Sequence, residues 1–100
     1  MIVKQILNKI EKMLSDKYNV NTYSQGGYRL AVVIYQAYIG EEKEANVGNL
    51  FRKAHKLAED SSSYSAFERS IYREIKEAFP NIKKINILKE VYSMAEEVTI

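Results

Sequence analysis

Residues Gly26 to Gly40, GGYRLAVVIYQAYIG, constrain what this chain can fold into more than any other stretch. Leu30, Ala31, Val32, Val33, Ile34, Ala37 and Ile39 leave no clean polar face, and only Arg29 and Gln36 interrupt the run. A segment apolar on nearly every side has to be surrounded by protein. Val32, Val33, Ile34 and Tyr35 would also suit a strand. Length decides for a helix, because a buried strand usually runs about 4–8 residues. A lone strand would also need a partner, and no other segment alternates with period two. The spacing predicts a helix over 27–39, with Gly40 at the left-handed position that closes it.

The remaining periodic segments each carry one apolar stripe, so they are the natural cover for that helix. Ile2, Val3, Ile6, Leu7, Ile10, Met13 and Leu14 follow a 3.6-residue period over 2–17. Lys4, Lys9, Lys12 and Lys17 fall off this stripe with Glu11 and Asp16, as a solvated helix back. Val47, Leu50, Phe51, Ala54, Leu57 and Ala58 predict a helix over 46–60, with Glu41, Glu42 and Glu44 placed to serve its positive end. Ser65-Ala66-Phe67-Glu68 reads as a capping box and starts a helix over 65–79 on Phe67, Ile71, Ile75, Ala78 and Phe79. Pro80 ends it. Ile85, Leu88, Val91, Tyr92, Ala95 and Val98 carry a last helix over 82–98. Short connections let neighbours pack antiparallel. The expected fold is all-α: a compact bundle of four to five helices around a central apolar helix, with residues 1–100 forming one domain.

Several chemistries drop out on composition. The sequence has no cysteine, so disulfides, thiolate metal sites and cysteine nucleophiles are excluded. His55 is the only histidine, and no second one completes a transition-metal site. A di-metal carboxylate bundle needs inward Glu-x-x-His pairs, which this chain lacks. Gly26, Gly27, Gly40 and Gly48 do not have phosphate-loop spacing. Glu41, Glu42 and Glu44 read as solvated acids beside a helix start. Glu74 and Glu77 flank the apolar stripe of their helix, and Ser61 to Ser63 read as loop and cap residues. No enzyme activity, cofactor or metal is expected. The N-terminus mixes charge with apolar residues, unlike a signal peptide, and the run at 30–39 is far short of the roughly 20 residues that span a bilayer. A cytoplasmic protein is expected.

Surfaces remain. The segment 18–28, YNVNTYSQGGY, sets Tyr18, Tyr23 and Tyr28 among small polar residues, the composition of a binding loop. Tyr64 and Tyr72 flank the fourth predicted helix, and Tyr35 and Tyr38 lie on the central one. Tyrosine is enriched at binding hot spots. The expected function is therefore a non-enzymatic protein-binding module (an inhibitor, immunity factor or regulatory adaptor) using Tyr18, Tyr23, Tyr28, Tyr64 and Tyr72. Self-association is an equally cheap use of such a face. The alternative is a small DNA-binding regulator. The last two predicted helices are separated only by Pro80-Asn81, as in a helix-turn-helix, and would present Lys83, Lys84, Asn86 and Lys89, with Arg52, Lys53 and Lys56 as a second strip. Recognition helices more often follow a turn containing glycine, and the net charge of +2 is modest.

In size and helical layout, over its whole length, the chain is similar to small bacterial immunity proteins and small phage-encoded inhibitors. The resemblance rests on no motif, so it carries no functional residue across. It implies a protein partner, and the Ile-, Lys-, Glu- and Tyr-rich composition points to a prokaryote or its virus.

Overall fold

Periodicity placed the helices well. In a computed structural model describing residues 2–98, the described chain forms α1 (Lys4–Tyr18), α2 (Gln25–Ile39), α3 (Val47–Ala58), α4 (Tyr64–Ala78) and α5 (Ile87–Glu96), with a 3-10 turn at Lys84–Asn86. The fold is an all-α bundle. Helix α2 is its axis, and α1, α3, α4 and α5 all pack on it. Every residue from Arg29 to Tyr35 is buried, as an all-round apolar helix requires. The cover comes from single stripes: Leu7, Ile10 and Leu14; Leu50, Phe51 and Ala54; Phe67, Ile71 and Ile75; Ile87, Val91, Met94 and Ala95. Each large side chain so buried contributes about 1.5–3 kcal/mol. Tyr35 is buried whole, and its hydroxyl accepts the Val3 N–H at 2.8 Å, which pins the start of α1 to the middle of the axis. Among the described residues no helix is long and apolar enough to cross a membrane.

The departures lie at the helix ends, where hydrogen bonds outweigh periodicity. Helix α2 begins at Gln25, ahead of the predicted 27, because Ser24 caps it by accepting the Gly27 N–H at 3.0 Å. Gly40 is extended, with φ −65° and ψ 131°, so it does not occupy the left-handed position assigned to it. The chain leaves α2 in an extended conformation, with no left-handed turn at that end. Left-handed residues are instead Asn19 (φ 57°) and Glu59 (φ 52°), closing α1 and α3. The acids at 41–44 do not cap α3 either. Its N-cap is Asn46, whose Oδ1 accepts the Asn49 N–H at 2.9 Å, while Glu44 turns away to Lys53 at 2.6 Å.

Two further corrections concern α4 and α5. The capping box at Ser65 is not formed, because Ser63 is the cap and accepts the Ala66 N–H at 3.2 Å. Starting at Ser63 gains the helical bond from Phe67 N–H to the Ser63 carbonyl without moving the Phe67, Ile71, Ile75 stripe. Ser63→Ala is therefore expected to lower stability by about 1 kcal/mol. Ser65→Ala should leave it nearly unchanged, and urea titration of the two variants distinguishes the caps. The last helix starts at Ile87, not 82, and its buried stripe is Ile87, Val91, Met94 and Ala95. Ile85, assigned to that stripe from the sequence, is 86% exposed in the 3-10 turn. Its neighbours Lys83, Lys84 and Asn86 are exposed too, so this stretch has no buried face to stabilise a regular helix.

Candidate interaction surfaces

The α1–α2 connection is short, polar and closely tied. Asn19 takes the left-handed turn that asparagine adopts at low cost, and Val20 tucks under, buried, with its N–H on the Leu14 carbonyl at 3.0 Å. Asn21 then folds the chain back. Its Oδ1 accepts the Tyr23 N–H at 3.0 Å, an Asx turn. Its carbonyl accepts both the N–H and the hydroxyl of Ser24, at 3.2 and 2.7 Å. The backbone of Gly27 runs against that same carbonyl: a Cβ at Gly27 would lie 2.0 Å from the Asn21 oxygen. Out of this fastened turn the Tyr23 ring projects into solvent, 101% exposed, and Tyr28 on the first turn of α2 is 37% exposed.

The other three tyrosines singled out from the sequence are anchored. The Tyr18 hydroxyl donates to Glu97, its ring packs on Phe79 with centroids 5.4 Å apart, and Lys17 pairs with Glu97. Tyr18 thus clasps the ends of α1 and α5. Burial and then the charge of Glu90 hold its hydroxyl above the usual range. Tyr64 lies under the Arg52 guanidinium at 5.1 Å and beside the edge of His55 at 5.9 Å, and it donates to Glu68 at 3.2 Å. Burial, then the Glu68 charge, pushes the Tyr64 hydroxyl up to about 12. Tyr72, two turns along α4, packs on Phe51 at 5.4 Å and carries Lys84 over its ring at 5.5 Å. The five tyrosines therefore divide into an exposed pair, a clasp, and two cation-covered rings on α4.

The basic residues assigned to a groove-reading helix are arranged differently from a helix-turn-helix. Lys83, Lys84 and Asn86 precede α5, the connection runs through 79–86 including the 3-10 turn, and α5 packs mainly on α2. Lys89 alone of that group lies on α5. Arg52, Lys53 and Lys56 share the outer side of α3 and line a cleft of about 700 Å3 with Glu44, Asn49, His55 and Tyr64.

A polar constellation that sequence reasoning missed sits at the first turns of α2. Arg29, only 4% exposed, donates through Nε to Asp60 Oδ2 at 2.7 Å and through Nη2 to Asp60 Oδ1 at 3.2 Å. Nη2 also reaches the Ser62 hydroxyl at 3.0 Å, and Nη1 the Ser70 hydroxyl at 3.0 Å. The Arg29 bond, with help from Ser62, lowers the Asp60 carboxyl to about 2. His55 donates Nε2–H to the Ser62 carbonyl at 2.9 Å, a role forced by an acceptor-only partner. Aspartate, histidine and serine thus meet here, but the Ser62 hydroxyl bonds Asp60 and Arg29, and His55 addresses the backbone. The geometry fastens the α3–α4 connection to α2; it does not present a nucleophile to a base. The missed signal was a lone arginine inside an apolar helix, which demands a buried acid elsewhere.

The chain matches no protein-family model, no curated protein and no solved structure.

Proposed function

We propose that this chain is a non-enzymatic protein-binding module, an inhibitor, immunity factor or regulatory adaptor, that engages its partner through Tyr23 and Tyr28. One observation carries the reading: a fully exposed tyrosine ring is held on a turn whose backbone is fixed by hydrogen bonds. Leaving such a ring in water forgoes on the order of 2 kcal/mol of burial. A turn already ordered loses little further entropy when a partner covers it. Tyr18, Tyr64 and Tyr72 support the scaffold in this reading. A cytoplasmic home, in a prokaryote or its virus as the Ile-, Lys-, Glu- and Tyr-rich composition suggests, belongs to the same proposal. The connection at 79–86 is longer than the roughly 3–4-residue turn usual in a helix-turn-helix, which supports the protein-binding reading over the DNA-binding alternative.

The test is capture of a partner from host lysate on the tagged full chain, treated with nuclease, with and without Tyr23→Ser and Tyr28→Ser. The double variant is expected to reduce retention at least tenfold, the equivalent of about 1.4 kcal/mol, with an unchanged melting temperature. Undiminished retention would remove the loop from the interface. Loss of every partner on nuclease treatment would return the weight to nucleic acid.

A further inference from the structure

The cleft on the outer side of α3 includes no residue of the Tyr23 turn among its lining, and three features distinguish it from an ordinary solvated helix face. The first is uncompensated charge. The cleft's one carboxylate, Glu44, is taken up by Lys53 at 2.6 Å, which leaves two of its three cations. Among the described residues no carboxylate lies within ion-pair distance of Arg52 or Lys56. The two stand at i and i+4 on α3, roughly 6 Å apart along one side.

The second feature is order. Arg52 lies over the Tyr64 ring at 5.1 Å. That ring is fixed by its bond to Glu68 and by His55, which is itself tied to the Ser62 carbonyl. A stacked guanidinium loses little freedom on binding, and its donor edge suits a bidentate carboxylate. The third feature selects between anions. Single-stranded nucleic acid binds basic grooves by stacking bases on open aromatic rings. Here Tyr64 and Tyr72 are each already covered, by Arg52 and by Lys84. Carboxylates need no such platform.

We infer that the α3 cleft around Arg52, Lys56 and Tyr64 docks an acidic segment of a partner protein, with one carboxylate on Arg52 and a second, about one helical turn away, on Lys56. The inference rests on the protein-binding reading and supplies the chemistry of a second contact, made by residues other than Tyr23 and Tyr28.

A fluorescein-labelled octaglutamate peptide is the probe, titrated into the full chain while backbone amide and arginine side-chain NMR signals are followed. Signals of residues 49–56 and of Tyr64 are expected to shift together. Arg52→Glu with Lys56→Glu is expected to weaken binding about tenfold or more, as when two charge-assisted contacts are lost. Lys83→Glu with Lys84→Glu should change it less than about twofold, since those exposed charges act only through screened solvent. Both pairs are exposed, so melting temperatures check that each variant folds. Shifts scattered over every lysine-bearing face, or insensitivity to Arg52→Glu and Lys56→Glu, would overturn the inference. Tighter binding of an eight-residue oligothymidylate at the same ionic strength would make nucleic acid the occupant. Concentration-dependent shifts of the same residues without peptide would make it a second copy, presenting Glu41 and Glu42. Each of these outcomes leaves Tyr23-dependent capture untouched, so failure of the cleft and failure of the loop are separable.

Discussion

Gly27→Ala is expected to be the most damaging single-methyl change in the protein, with a loss on the order of 3 kcal/mol or more. A methyl group there would lie 2.0 Å from the Asn21 carbonyl oxygen and 2.8 Å from its carbon. Both are backbone atoms, and that carbonyl already accepts two bonds from Ser24. No rotamer can relieve the overlap. Either the turn lifts away, withdrawing Val20 from the core, or the first turn of α2 unwinds. For a chain of this size the melting temperature should fall by roughly 15 °C. Gly26→Ala is the control. Its nearest neighbour is the Glu74 side chain at 3.0 Å, which can swing away, so the change should stay within about 1 kcal/mol. Thermal unfolding followed by far-UV circular dichroism reads both. Equal effects would show that the close approach of Gly27 to Asn21 does not matter to stability.

An effect of similar size is expected at the Arg29–Asp60 pair. Asp60→Ala would leave the guanidinium buried against Ser62 and Ser70 alone, at a cost of about 3–5 kcal/mol. Removing both charges with Arg29→Met and Asp60→Asn should cost clearly less than the sum of the single changes, because no charge is then stranded. The pair also sets an acid limit. Asp60 titrates at about 2 when folded against 3.8 unperturbed. Its folded pKa is depressed, so the stabilisation is present above about pH 4 and is lost as the pH falls toward 2. The amount is on the order of 2 kcal/mol. Urea unfolding of the natural chain between pH 5 and pH 2 should show this loss, and Asp60→Asn should remove that part of the slope. An identical slope in both proteins would place the acid sensitivity elsewhere.

The architecture was legible because burial writes itself into periodicity. An apolar run without a polar face could only be central, and stripes such as Phe67, Ile71 and Ile75 could only face it. Helix ends were less legible, since Ser63 and Ser65 offer the same hydroxyl and only the three-dimensional start of α4 selects one. Ile85 shows the converse limit: an isoleucine at helical spacing joins the core only if the backbone before Ile87 is helical, and it is not. Among candidate contact residues, exposure separated chemically identical tyrosines. Tyr18 finds Glu97 from the other end of the chain, a meeting that no local pattern announces. The same holds for Arg29 with Asp60. The Asn-, Ser- and Gly-rich stretch around Tyr23 and Tyr28 was legible as a turn because that chemistry is local, but which of its tyrosines stay exposed was not.

Replacing Tyr23 by a photo-reactive phenylalanine analogue and irradiating the full chain in nuclease-treated host lysate tests the account most directly. The expected result is one protein cross-linked at position 23 and not from the same analogue at Gln5, an exposed position on α1. Identical cross-linking from both positions, or none from position 23 while a partner is retained on the tagged chain, would contradict it.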